Sequence, residues 1–111
     1  GTAPAAADIR RAKQLREDGN SAYADGRFDE AVKLYSEAAI LNPTDHLAYS
    51  NRSACWLRLG RPIEALDDAD LCVRLEPDFA RGFLRKGAAE QLLNRRMDAQ
   101  ASFKKGLGRD P

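Results

Sequence analysis

Apolar residues return every three or four positions along nearly the whole chain. Ala31, Leu34, Tyr35 and Ala38 keep this spacing in one stretch, and Ile63, Leu66, Ala69 and Val73 keep it in another, so each set lies on one face of an α-helix. No stretch alternates apolar and polar residues as a half-buried strand would. Breakers divide the helical stretches. Asp25-Gly26-Arg27, Leu59-Gly60-Arg61-Pro62 and the weaker Asn94-Arg95-Arg96 interrupt the pattern, as do Asn42-Pro43, Glu76-Pro77 and Asp110-Pro111, because proline pushes the preceding residue out of helix. The pattern predicts an all-α chain with helices over 8–25, 28–41, 45–59, 62–75, 78–93 and 96–108. Asp8, and Thr44 or Asp45, are the predicted N-caps, with oxygens that can accept from free first-turn amides.

The helices come in pairs on a fixed beat. Pro43, Pro77 and Pro111 recur every 34 residues, and Ala31, Ala65 and Ala99 keep the same interval. This is the length of a helix-turn-helix unit in a stacked array. Units set at 12–45, 46–79 and 80–111 align without an insertion. The fourth position is bulky and apolar (Leu15, Tyr49, Phe83), the eighth is small (Gly19, Ser53, Gly87), and the twenty-seventh is small again (Ala38, Cys72, Gly106). Small residues are expected where two helix backbones approach closely, and large ones where units pack on each other. Residues 8–111 then form one domain, and 1–7, small residues with one proline, read as a linker or a cloning scar.

Composition removes several functions. The 18 basic and 17 acidic residues leave a net charge of +1, which gives no reason to invoke nucleic acid or membrane. No apolar run approaches the roughly 18 residues needed to span a bilayer. Cys55 and Cys72 lack CxxC spacing and fall within apolar helical patterns, where thiols pack as small hydrophobes; a reducing, cytoplasmic location is expected.

No catalytic set emerges, and the expectation is a protein that is not an enzyme and carries no cofactor or metal. His46 is the single histidine, it opens a unit at a helix start, and it is read as a solvated or capping residue. The glycines form neither GxxxxGK[ST] nor GxGxxG. Asp67, Asp68 and Asp70 lack the oxygen-rich loop of a cation site and read as a solvated convex face. Tyr23, Tyr35, Trp56 and Phe103 stand at helical spacing and are expected in packing. Arg10, Arg11 and Lys13 either extend a positive groove mouth or are solvated surface.

The first helices of the units carry a more specific pattern. Arg16 and Asn20 lie four apart on the first, Arg81 and Arg85 four apart on the third, and Asn51 sits on the second. If these helices line a groove, the five side chains converge there. Arginine offers a carboxylate two parallel hydrogen bonds, while asparagine can donate one bond and accept another from a peptide amide. A chain terminus ending in aspartate presents two carboxylates close together, which suits such a set.

With its three in-register units, the chain resembles a tetratricopeptide repeat (TPR) domain from about residue 12 onwards. The resemblance implies a right-handed superhelix whose first helices line a concave groove and whose second helices form the convex back. It also implies a final capping helix, which is not seen before the chain stops at Pro111, so the expectation is either a cap supplied by a longer parent protein or self-association through the last helix. Arg16-Glu17-Asp18-Gly19-Asn20, Tyr49-Ser50-Asn51-Arg52-Ser53 and Arg81-Gly82-Phe83-Leu84-Arg85 are similar to the stretches that form a two-carboxylate clamp in heat-shock co-chaperones, with arginine at two positions where the pattern has lysine. Through Tyr49-Ser50-Asn51-Arg52-Ser53-Ala54-Cys55 and Leu66-Asp67-Asp68-Ala69-Asp70, the chain is most like the heat-shock organising protein family. The resemblance implies binding of the C-terminal Glu-Glu-Val-Asp tail of seventy- or ninety-kilodalton heat-shock chaperones by Arg16, Asn20, Asn51, Arg81 and Arg85. Two other readings stand beside it: a module of a larger phosphatase, prolyl isomerase, ubiquitin ligase or mitochondrial import receptor, and a scaffold that uses no carboxylate clamp.

Overall fold

A computed structural model describes residues 2–108. It contains six α-helices: α1 (Ala6–Ala24), α2 (Phe28–Leu41), α3 (His46–Arg58), α4 (Pro62–Leu75), α5 (Ala80–Leu92) and α6 (Arg96–Leu107). Pro111 lies outside the described residues. Asp45 caps α3 as expected, its Oδ1 accepting from the Leu47 amide at 3.0 Å. Asp8 does not cap α1. The helix begins at Ala6, two residues inside the stretch read as linker, so Ala5 stands at the cap and Asp8 lies in the first turn, where its charge still faces the positive end of the helix.

The three turns within units share one geometry. Gly26, Gly60 and Asn94, each 34 residues from the next, have φ of +79°, +72° and +63°. In each turn the following amide reaches back five residues: Arg27 to Ala22 O, Arg61 to Trp56 O and Arg95 to Glu90 O, all at 2.8 Å. This closes the helix C-terminus through a left-handed residue. Asn94, read as a weaker breaker, makes the same turn as the two glycines because asparagine is among the few other residues that tolerate this conformation.

Packing follows the beat. Ala31, Ala65 and Ala99 are buried, with Leu15, Tyr35, Tyr49 and Phe83 filling the space around the paired helices. Close approach explains the eighth position. A Cβ on Gly19 would lie 2.7 Å from Cε1 of Tyr35, and one on Gly87 would lie 2.6 Å from Cδ1 of Phe103. In the middle unit Ser53 is accommodated by donating to Ala65 O at 2.8 Å. Cys55 and Cys72 are fully buried, and burial pushes each thiol up to about 11.

The acidic run on α4 departs from the sequence reading. Only Asp67 is exposed. Asp68 is buried, accepting two parallel bonds from Arg52 at 2.7 Å each and a third from the Trp56 indole at 3.0 Å. Arg52 also donates to Ser36 on α2, so one guanidinium ties α2, α3 and α4 together. Asp70 pairs with Lys86 on α5 at 3.3 Å. An acidic run can look solvated in sequence when its partners come from other helices.

The backbones of α1 and α5 both approach α3 within 8 Å, whereas those of α2, α4 and α6 stay farther than that from one another. The stack therefore curves with α1, α3 and α5 on the inside. Met97 and Leu107 on α6 are exposed. Among the described residues no helix is long and apolar enough to cross a membrane.

Candidate functional site

An open pocket of about 280 Å³ lies on the inner side, where α1, α3 and α5 meet. Four of the five candidate residues line it: Asn20 from α1, Asn51 from α3, and Arg81 and Arg85 from α5. Their approach depends on the 34-residue register, since Asn20, Asn51 and the pair Arg81 and Arg85 come from the first helices of three successive units.

The two amides are already oriented. Asn20 Oδ1 accepts from the Tyr35 hydroxyl at 2.5 Å and from Asn51 Nδ2 at 3.0 Å. With its oxygen committed twice, Asn20 keeps its own Nδ2 hydrogens for another acceptor. The Tyr35 side chain is almost fully buried. Burial pushes its pKa well above the usual value while the charge of Arg16 pulls the other way, so the hydroxyl stays protonated and remains a donor.

The two arginines supply the charge. Neither Arg81 nor Arg85 has a carboxylate partner among the described residues, although five other basic side chains there do. Arg81 is exposed and stacks its guanidinium over the Phe79 ring at 5.4 Å. The Arg85 Nε is buried with no hydrogen-bond partner. Burial lowers the Arg85 pKa, Tyr23 opposes that, and Arg81 adds to it. Arginine nonetheless stays charged in proteins, so the pocket wall presents two positive groups.

Comparison with known proteins identifies the fold. No family model matches the chain. The TPR domain of Arabidopsis OM64 is 30% identical, with a TM-score of 0.91 over 94% of this chain and 86% of that one. The chain belongs to the TPR domains. The first TPR of Spaghetti (RPAP3), solved bound to the HSP90 peptide SRMEEVD, is 26% identical, with a TM-score of 0.92 over 100% of this chain and 86% of that one. Hsp70-Hsp90 organizing protein 3 of Arabidopsis thaliana is 43% identical over 100 residues, which is 90% of this TPR domain and 18% of the relative's length.

Arg16 and Tyr23 of this TPR domain depart from the sequence reading of the site, and Tyr35, read as packing, lines the pocket as well as filling the core. Arg16 does not line the pocket. Its Nε donates to Asp45 Oδ2 at 2.9 Å, which holds the side chain at the edge of the site beside the start of α3. Tyr23, read as packing, does line the pocket, one turn beyond Asn20 on α1, and its ring meets Phe28 edge-on at 5.1 Å. The spacing from Asn20 to Tyr23 is the available signal, since residues three apart share a helix face. His46 is neither a cap nor fully solvated, for its ring packs edge-on against Phe79 at 4.8 Å.

Proposed function

We propose that this TPR domain is the peptide-binding module of a cytoplasmic co-chaperone adaptor, that it receives the free C-terminal Glu-Glu-Val-Asp tail of a heat-shock chaperone, and that it does no chemistry itself. Asn20, Asn51, Arg81 and Arg85 hold the terminal carboxylate and the last aspartate side chain, with Arg16 contributing from the rim. The carrying observation is the pair Arg81 and Arg85, two guanidiniums without a carboxylate partner among the described residues, beside an open pocket whose amides are already oriented. A desolvated and unpaired guanidinium is costly, and a ligand carboxylate relieves that cost. The peptides and chaperones in the names of the relatives point to the same ligand chemistry.

Truncation of Arg85 tests the reading. Arg85→Ala should weaken binding of a free-acid Glu-Glu-Val-Asp peptide by on the order of 2–5 kcal/mol, measured by calorimetry, as removal of one side of a buried charge pair does. Added salt should weaken binding to the unaltered chain, mainly through slower association. A loss of only a few tenths of a kcal/mol for Arg85→Ala would mean that the residue is ordinary surface.

A further inference from the structure

Arg16 differs from the other candidate residues in being held from behind. Its Nε edge is taken by Asp45 Oδ2, and the other Asp45 oxygen accepts from the Leu47 amide as the cap of α3. Both carboxylate oxygens therefore have fixed donors, one of them in the backbone. Arg16 and Asp45 are both mostly shielded, with side-chain exposures of 19% and 13%. The two terminal nitrogens of Arg16 donate to no other side chain among the described residues. Its charge reaches the Tyr35 hydroxyl, which in turn bonds Asn20.

An arginine can use its two edges separately, with one N–H on the Nε side and further N–H groups on the terminal nitrogens. A lysine ammonium is a point charge on a flexible stem and has no second edge to be held by. We propose that Asp45 is a positioning residue of the carboxylate site, holding the Nε edge of Arg16 so that the terminal nitrogens face an incoming peptide carboxylate. This rests on the function proposed above. Rotamer freedom that Arg16 has already lost in the free protein is not lost again on binding, so the ion pair favours affinity even though Asp45 brings a negative charge near an anionic ligand. With both of its oxygens occupied, that charge is largely compensated.

Four proteins test the coupling: the unaltered chain, Asp45→Asn, Arg16→Lys and the double variant, each titrated with the free-acid Glu-Glu-Val-Asp peptide. Asparagine caps a helix as well as aspartate does, so Asp45→Asn should leave helix content unchanged by circular dichroism. In the native background Asp45→Asn should weaken binding roughly three- to tenfold, and in the Arg16→Lys background it should change affinity by less than about twofold. An equal loss in both backgrounds, or no loss with Arg16 present, overturns the proposal. The C-terminal amide of the same peptide separates the two readings. If the unaltered chain prefers the free acid, a failed cycle removes only the role of Asp45; if it shows no preference, the carboxylate site falls and the role of Asp45 falls with it.

Discussion

At the scale of single residues, the candidate site contains an oriented hydroxyl as well as charges. The Tyr35 hydroxyl and Asn51 both donate to Asn20 Oδ1, which fixes the amide without any ligand. Removing the hydroxyl leaves the ring in place, filling the space over Gly19. Tyr35→Phe should therefore weaken binding of the free-acid peptide by about 0.5–1.5 kcal/mol, the usual net value of one hydrogen bond. Calorimetry measures the loss, and circular dichroism should show an unchanged helix content. Unaltered affinity would mean that Asn51 alone orients Asn20. Arg52 shows the contrasting case, a guanidinium next to a site residue in sequence whose hydrogen bonds all go to Asp68 and Ser36.

At the scale of elements, the pattern of breakers and apolar positions carries most of the fold. All six helices end within two residues of the boundaries that the sequence predicts, because proline, glycine and the periodic alanines act locally. The small eighth position was legible for the same reason, and it makes a prediction about packing. Gly87→Ala gains helix propensity but drives a Cβ against the Phe103 ring, so it should destabilise the fold by a net of about 1–3 kcal/mol in urea unfolding. A neutral or stabilising result would show that Phe103 moves aside freely. What the sequence did not disclose depends on contacts between helices. The burial of Asp68 requires Arg52 and Trp56 from α3, and the capture of Arg16 requires Asp45, 29 residues away. Four of the five candidate residues line the pocket because they follow the repeat register, whereas Tyr23 depended on knowing which face of α1 borders the pocket.

At the scale of the whole molecule, near neutrality conceals a local imbalance. The net charge is only +1, yet Arg81 and Arg85, without a carboxylate partner among the described residues, share one pocket wall. Stability at high pH is also a property of the stack, because Cys55 and Cys72 are both buried in the middle unit, with Cys55 sharing a core cluster with Ala22, Ala31 and Tyr35 of the first. Burial raises both thiols from 9.0 to about 11, so an unfolded chain releases these protons at lower pH than the folded one does. Their contribution is fully present below pH 9.0 and is lost as pH rises to about 11. Urea midpoints should fall across that window, and should fall less in the Cys55→Ala, Cys72→Ala double variant; identical slopes would exclude the thiols as the cause. The claim that joins these scales is that three helices, brought into register by the repeat, grip the end of a peptide by its carboxylates. The most direct measurement is a titration of the unaltered chain with a Glu-Glu-Val-Asp peptide as the free acid and as the C-terminal amide. The account predicts that the amide binds at least about tenfold more weakly, roughly 1.4 kcal/mol, and equal affinity for the two forms would contradict it.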